Sequence, residues 1–313
     1  SWRGGKIKGE EVPAHTVPAA APHGLVSVFM NDEKMTDAID QAAEWIAHAG
    51  ALLVTAGAGM GVDSGLPDFR GDDGFWQAYP ALGRGRIRFV DIANGQAFRE
   101  RPALAWGFYG HRLQLYRETV PHAGFRILRD IGDALPGGAF VFTSNVDGQF
   151  QRAGFSEQRI VEHHGSIHFL QCVRACEDAI WSAETLRIEV DEASGRTRSD
   201  LPRCPHCGGL ARPNILMFND DAWVDTRSEV QAFAMDAWEA RGGPMVVIEL
   251  GAGVALPSVR RKGESMQCPL IRFNPAASQT RGANQLGIAL PALQGLRLLR
   301  ERLRQVGFLA AAA

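Results

Sequence analysis

The sequence predicts an α/β fold, a Rossmann-like doubly wound parallel sheet carrying a small metal-stapled insert. Three observations predict it. Apolar runs at 51–55, 139–143, 245–250 and 270–273 show no alternation, as in strands buried on both faces. Segments of helical period separate these runs. Between 166 and 215 the texture changes, and two close cysteine pairs appear.

Each element has its own justification. Ile39, Ala42, Ala43, Ile46 and Ala47 recur at helical spacing over 36–48, and Gly50 ends that helix. The strand at 51–55 runs straight into Gly57-Ala58-Gly59-Met60-Gly61. Residues 72–120 read as helical stretches rich in aromatics, among them Phe75, Trp76, Phe98, Trp106, Phe108 and Tyr109, placed to cover a cleft. A helix over 122–134 presents Phe125, Leu128 and Ile131 on one face. The turn Pro136-Gly137-Gly138 then leads into the strand at 139–143. A short third strand is expected at 159–162. The alternating stretch Leu186-Arg187-Ile188-Glu189-Val190 before a polar turn predicts a β-hairpin. Beyond the insert come a helix at 227–240, the strands at 245–250 and 270–273, and an amphipathic helix at 291–304 built on Leu293, Leu296, Leu299 and Leu303.

A length of 313 residues fits one core domain with one insert. The reading divides it into a flexible tail at 1–30, a core made of 31–165 and 216–313, and an insert at 166–215. Net charge is −2, which offers no basic surface for nucleic acid or anionic membrane, and no apolar run has the length of a membrane span. The chain reads as cytoplasmic. Five cysteines, an odd number, argue against a disulfide framework. Cys172-x3-Cys176 followed by Cys204-Pro205-His206-Cys207 offers four thiolates for a structural Zn2+, making 166–215 a small zinc-binding insert domain. The three-residue gap in the first pair is one longer than in a usual ribbon. His206 reads as an exposed knuckle residue.

Three further blocks carry chemistry. Ligands of open α/β sheets bind beyond the carboxyl ends of the strands. There the sequence places the glycine loop with its Asp68-Phe69-Arg70 tail, Thr143-Ser144-Asn145-Val146-Asp147 after the second strand, and Glu162-His163-His164-Gly165 after the third. Glycines followed by exposed amides make a phosphate cradle. Asn and Asp can hold ribose hydroxyls and a carboxamide, and a histidine near neutral pH can take a proton. The residues alone do not choose between His163 and His164. On the helix near 109, Tyr109 and Arg112 share a face, and a phenol with a guanidinium can bind a carboxylate.

The stretch from Gly57 to Gly71 resembles the sirtuin signature Gly-Ala-Gly-Ile-Ser-x-x-Ser-Gly-Ile-Pro-Asp-Phe-Arg-Gly, with Gly61 in place of a serine. That family comprises NAD-dependent protein deacylases. The resemblance runs over roughly 36–300 with the motifs in family order. It implies NAD as co-substrate, a structural Zn2+ on Cys172, Cys176, Cys204 and Cys207, and acyl-lysine proteins or peptides as partners. The implied cofactor contacts are Gly57, Ala58, Gly59, Gly61, Asp68, Phe69, Arg70, Ser144, Asn145, Asp147, Gly251, Ala252, Gly253, Asn274 and Ile288. Thr143 to Asp147 is similar to Thr-Gln-Asn-Ile-Asp, so Asn145 positions ribose and water and Asp147 holds the nicotinamide amide. Glu162-His163-His164-Gly165 is similar to Glu-Leu-His-Gly, which makes His164 the base and puts His163 where the family has Leu. Arg212-Pro213-Asn214-Ile215 and Phe218-Asn219-Asp220 resemble Arg-Pro-x-Ile and Phe-Gly-Glu, a strand that pairs with the substrate peptide, with Phe218 on the acyl tunnel. Gly251-Ala252-Gly253 stands where the family has Gly-Thr-Ser. Tyr109 and Arg112 match the Tyr-x-x-Arg of the branch that removes succinyl and malonyl groups. The expected reaction is lysine deacylation releasing nicotinamide and O-acyl-ADP-ribose. The changes at Gly61, Ser144, Ala252 and Gly253 keep an NAD glycohydrolase or protein ADP-ribosyltransferase as an alternative. A non-catalytic NAD sensor is a second one, against which His164, Asn145 and Asp147 argue.

Overall fold

The order of the strands in the main sheet decides where a ligand can sit. The computed structural model describes residues 32–68 and 71–310; the expected tail at 1–30, Phe69 and Arg70 lie outside the described residues. Eleven strands occur among them: β1 Ala51–Ala56, β2 Ala139–Thr143, β3 Ile160–Glu162, β4 Gly165–Cys172, β5 Ile180–Ser182, β6 Val190–Asp191, β7 Arg196–Thr197, β8 Ala211–Ile215, β9 Met245–Leu250, β10 Leu270–Phe273 and β11 Gln285–Ile288. Six of them form one parallel sheet in the order β11-β10-β9-β1-β2-β3. The chain winds outward from β1 through β2 to β3, then returns to the other side of β1 and winds outward again. The order therefore reverses between β1 and β9, and open sheets of this kind take their ligands in the crevice beyond the carboxyl ends at such a point.

Successive residues of a strand face opposite ways, so one apolar run supplies two cores. Leu52 and Val54 join the layer made by the helices Asp32–Ala47, Ala123–Asp133 and Ala292–Gln305. Leu53 joins the opposite layer with Phe140, Val161, Val247, Met235 and Trp238, beneath the helices Thr226–Glu239 and Ser258–Ser265. A third core gathers Phe75, Phe98, Trp106, Phe108, Tyr109 and Tyr116 from the helical stretch after β1, together with Ile167, Ile188 and Ile215. The expected aromatic cover is built by the helices Gly71–Ala78, Pro80–Arg84, Phe89–Ile92, Gly95–Glu100 and Pro102–Glu118.

One expectation is corrected and one strand is added. The stretch 186–189 is irregular, and the hairpin is the short pair β6–β7 just beyond it. The reason is packing: Ile188 presses on Gly110, and the hairpin presses on Gly107, both on the Pro102–Glu118 helix. Arg117 of that helix donates to the carbonyls of Ala183 and Leu186. The added strand is β11, absent from the sequence reading. Gln285-Leu286-Gly287-Ile288 is too short and too polar to read as a strand alone, and it forms because β10 offers it a parallel edge.

A Cβ on Gly107 would lie 2.0 Å from the Gly195 carbonyl oxygen, with only backbone there to yield. Gly107→Ala is therefore expected to destabilise the protein by about 1–3 kcal/mol, read as a lowered denaturation midpoint; an unchanged midpoint would contradict this docking.

Candidate active site at the carboxyl edge of the sheet

The crevice between β1 and β9 is lined by two loops that touch through bare backbone. A Cβ on Gly57 would sit 2.8 Å from the Gly251 carbonyl oxygen, and one on Gly59 would sit 2.7 Å from Gly251 Cα. Gly59 N–H donates to the Gly251 carbonyl at 3.1 Å, and Gly251 itself has φ +56°, a left-handed conformation that suits glycine. Ala58 and Gly253 are exposed beside this contact, while Ala252 is buried. Gly61 is buried too, and a Cβ there would meet Leu66 at 3.1 Å. This chain thus fills with Leu66 the space that a side chain at 61 would need.

The loop after β1 is anchored from behind. The backbone N–H of His122 donates to Ser64 Oγ at 3.0 Å. The His122 ring accepts from Gly124 N–H at Nδ1 and so donates from Nε2 to the Met60 carbonyl at 2.9 Å. Burial lowers the proton affinity of that ring and keeps it neutral, as the pattern requires. Asp68 stands half-buried on the same loop.

The loop after β9 is fixed by a clamp that the sequence reading missed. The Ala252 carbonyl accepts from Arg260 Nη2 at 3.1 Å and from Asn274 Nδ2 at 3.0 Å. Arg260 also reaches the Ala277 carbonyl at 2.6 Å, and Asn274 Oδ1 accepts from the N–H groups of Ala276 and Ala277. Both ends of the Asn274 side chain are thus committed to backbone. Beneath them Arg272 makes a two-pronged pair with Glu249, at 2.6 and 2.9 Å, and reaches Glu264 at 2.7 Å. Ile288, expected beside a base, is fully buried in the core and gives its carbonyl to Asn274 N–H.

The ends of β2 and β3 bring the polar residues to the same edge. Asn145 Nδ2 donates to the Gly57 carbonyl at 3.0 Å, and Ser144 N–H donates to the Ala56 carbonyl. Asp147 is buried; its Oδ1 accepts from Gln149 N–H, and burial pushes its carboxyl up to about 6. His168 Nε2 holds the Asp147 carbonyl at 2.9 Å. His163 and His164 are half-buried side by side, ring centroids 5.0 Å apart, and His163 N–H donates to the Thr143 carbonyl. Burial first, and then the neighbouring His163, bring the His164 imidazole down to about 4, so it is unprotonated at neutral pH. The His164 carbonyl takes Leu216 N–H, which ties this corner to the segment after β8.

That segment ends in Phe218, half-buried, whose N–H donates to the Ala93 carbonyl and whose ring meets Phe89 edge-on at 6.0 Å. Asp220 forms a buried pair with Arg212 at 2.7 Å and caps Met217 N–H, a use of that carboxylate the sequence reading did not foresee. On the Pro102–Glu118 helix, Tyr109 and Arg112 are both buried. Arg112 Nε donates to the Tyr116 hydroxyl, one turn on, at 3.0 Å, while the Tyr109 ring centroid lies 5.6 Å from the guanidinium carbon. Gln149 Nε2, two residues on from Asp147, donates to the Tyr116 carbonyl at 3.4 Å, which places this aromatic wall next to the polar edge.

The cysteines gather where β4 ends at Cys172. The sulfurs of Cys172, Cys176, Cys204 and Cys207 all lie within 4.8 Å of one another, as four ligands of one tetrahedral ion must. The three-residue gap closes because Ala175 adopts φ +44°, tightening the turn, and Cys204 N–H donates to the Gly209 carbonyl across the knuckle. Thiolates at this spacing suit Zn2+ in a structural role.

Comparison with known proteins agrees with this geometry. The model of the Sir2 family matches residues 57–240, more than half the chain. The NAD-dependent protein deacylase 1 of Pseudomonas aeruginosa is 30% identical over 264 residues, covering 83% of this chain and 96% of that protein. The NAD-dependent protein deacylase of Aquifex aeolicus is 28% identical over 257 residues, covering 81% of this chain and 95% of that protein. Among solved structures, a Sir2 homologue in complex with NAD superposes with a TM-score of 0.65 at 24% identity, over 85% of this chain and 94% of that one. A mutant Sir2 homologue in complex with ADP ribose gives 0.64 at 23% identity, over 87% and 99%. At these identities the superpositions show the fold.

The raised carboxyl of Asp147 carries a stability cost with a definite sign. Its folded pKa lies above the unfolded one, so ionisation penalises the folded state from about pH 4 upward, in full above pH 6. Asp147→Asn keeps the acceptor for Gln149 N–H and removes the penalty. It is expected to raise stability on the order of 2 kcal/mol above pH 7, with the gain fading toward pH 4; denaturation curves at both ends of that range check it, and a pH-independent difference would contradict it.

Proposed function

The chain belongs to the Sir2 family, and we propose that it is an NAD-dependent protein lysine deacylase. The observation that carries this reading is the convergence, at one edge of the sheet, of the Gly57–Gly59–Gly251 backbone cradle with Asn145, Asp147 and a neutral His164.

The residues fit the co-substrate. Loops that meet without a Cβ at Gly57, Gly59 and Gly251 bring backbone rather than bulky side chains to a pyrophosphate, and the loss of hydroxyls at Gly61, Ala252 and Gly253 leaves that backbone in place. NAD would supply the electrophilic C1′ of its nicotinamide ribose for the acyl oxygen of the modified lysine; nicotinamide would leave, and with one water consumed the lysine amine would be freed and the acyl group carried off as O-acyl-ADP-ribose. Gly57, Ala58, Gly59, Gly251, Ala252 and Gly253 would hold the phosphates and the adjoining ribose. Asn274 acts behind them, fixing the Ala252 carbonyl together with Arg260. Asn145, hung from the Gly57 carbonyl, would orient the nicotinamide ribose, and Asp147 would accept from the nicotinamide amide. His164 is the base: its neutral imidazole nitrogen takes the proton from a ribose hydroxyl. Asp68, Phe69 and Arg70 would close over the nicotinamide and exclude water. The segment ending at Phe218 would receive the acyl-lysine peptide, with Tyr109 and Arg112 in the wall of the acyl site and acidic acyl groups the class that a buried guanidinium favours. The four cysteines would hold Zn2+ outside the reaction. We place the activity in the cytoplasm, where thiols stay reduced and available to a metal.

Incubation with NAD and a panel of acetyl- and succinyl-lysine peptides tests the reading. Nicotinamide release should require the peptide and be matched by O-acyl-ADP-ribose, and His164→Ala should lose at least about 100-fold in rate. Peptide-independent loss of NAD would identify a glycohydrolase, and ADP-ribose attached to protein a transferase; either would overturn deacylation.

A further inference from the structure

The residue beside the base is itself an imidazole, and its position is not that of a surface side chain. His163 is half-buried, its ring 5.0 Å from that of His164 and 5.0 Å from that of Phe142, each pair tilted by 36°. Its own N–H is fixed to the Thr143 carbonyl, and the His164 carbonyl is fixed to Leu216 N–H, so both rings stand on paired backbone. We propose that His163 is a positioning residue for His164, a second imidazole that sets the pH range over which the base is free to take a proton. The inference rests on His164 being the base.

The physics is like-charge repulsion. Two rings in contact cannot both be imidazolium without a Coulomb cost that partial burial enlarges, so a proton on one opposes a proton on the other. The pair then titrates as a unit, in two steps held apart. Among the described residues, the groups that bear on the charge of His164 are His163, which lowers its proton affinity, and the Ser144 backbone, which raises it. Burial alone lowers the affinity of His163. The carboxylates of this corner are engaged elsewhere: Glu162 by Arg227 and Gln231, and Asp147 by Gln149 N–H. Neither imidazolium therefore has a carboxylate of its own to offset the other. A leucine at 163 would pack against Phe142 equally well and leave His164 more basic. The histidine gives up base strength to keep His164 unprotonated in more acidic conditions.

The test uses the resting protein, so it does not depend on turnover. His164 is followed by NMR of selectively labelled histidine in wild type, His163→Leu and His163→Phe. The phenylalanine keeps the aromatic contact and removes only the titrating group. Both variants should raise the His164 midpoint by between about half a unit and two units, and the acid limb of kcat/KM should move up by the same amount. An unmoved midpoint in both variants overturns the proposal, even if deacylation is confirmed. A raised midpoint in His163→Leu alone also overturns it, because packing would then be the cause. If the protein proves not to deacylate, the NMR midpoints still decide the relation between the two rings.

Discussion

The contact of Gly57 and Gly59 with Gly251 is the constraint on which the site depends. β1 and β9 are parallel neighbours in register to their last residues, Ala56 opposite Leu250, so the loops that leave them start side by side. Gly57, Gly59 and Gly251 each spend their own N–H on a backbone carbonyl, and the two loops can lie this close only because they touch through bare backbone. Any Cβ at these three positions would fall within 3 Å of the opposing chain. The rest of the polar edge is hung from this contact. Asn145 is held by the Gly57 carbonyl, Met60 is held by His122, and Ala252 is held by Arg260 and Asn274. A displaced loop would therefore carry Asn145 and the Ala252 loop away together.

The interior on either side of this contact is more polar than stability alone would favour. Glu249, fully buried, is paired with the fork of Arg272, and Glu264 completes the network. Such pairs roughly break even against apolar packing, but they are costly to break singly, and they fix geometry. Here the geometry is that of β9 and β10 just below the clamped loop. Asp147 is the opposite case, a buried carboxyl that accepts from the Gln149 N–H and whose proton affinity burial raises. The site retains a group that the fold would rather see protonated, a recurrent mark of positions kept for chemistry.

Much of the fold was legible because buried parallel strands leave a strong trace. The runs at 139–143, 245–250 and 270–273 coincide with β2, β9 and β10, since nothing but a double-faced core requires such composition. What was not legible depended on partners distant in sequence. β11 needs the edge of β10. Residues 186–189 lost their expected strand to the surface of the Pro102–Glu118 helix. In the site, the motifs named residues that the fold brings to one edge of the sheet, but not the contacts that each side chain makes. Asn274 binds backbone at both ends, Ile288 lies in the core, and Gly61 lies under Leu66. Tyr116 became visible only as the phenol that Arg112 reaches, and Arg260 only as a clamp on Ala252. A signal for Arg260 existed, since an arginine two residues into a helix that follows a glycine loop can turn back on that loop.

Calorimetric titration of NAD into the wild-type protein and into Gly59→Ala tests the central claim most directly. The added methyl group would fall 2.7 Å from Gly251 Cα, at the meeting of the two loops and apart from the reacting groups. The account predicts a variant that folds but binds NAD at least about tenfold more weakly, or about 1.4 kcal/mol. Equal affinity for the two proteins would show that the crevice between β1 and β9 is not where the cofactor rests.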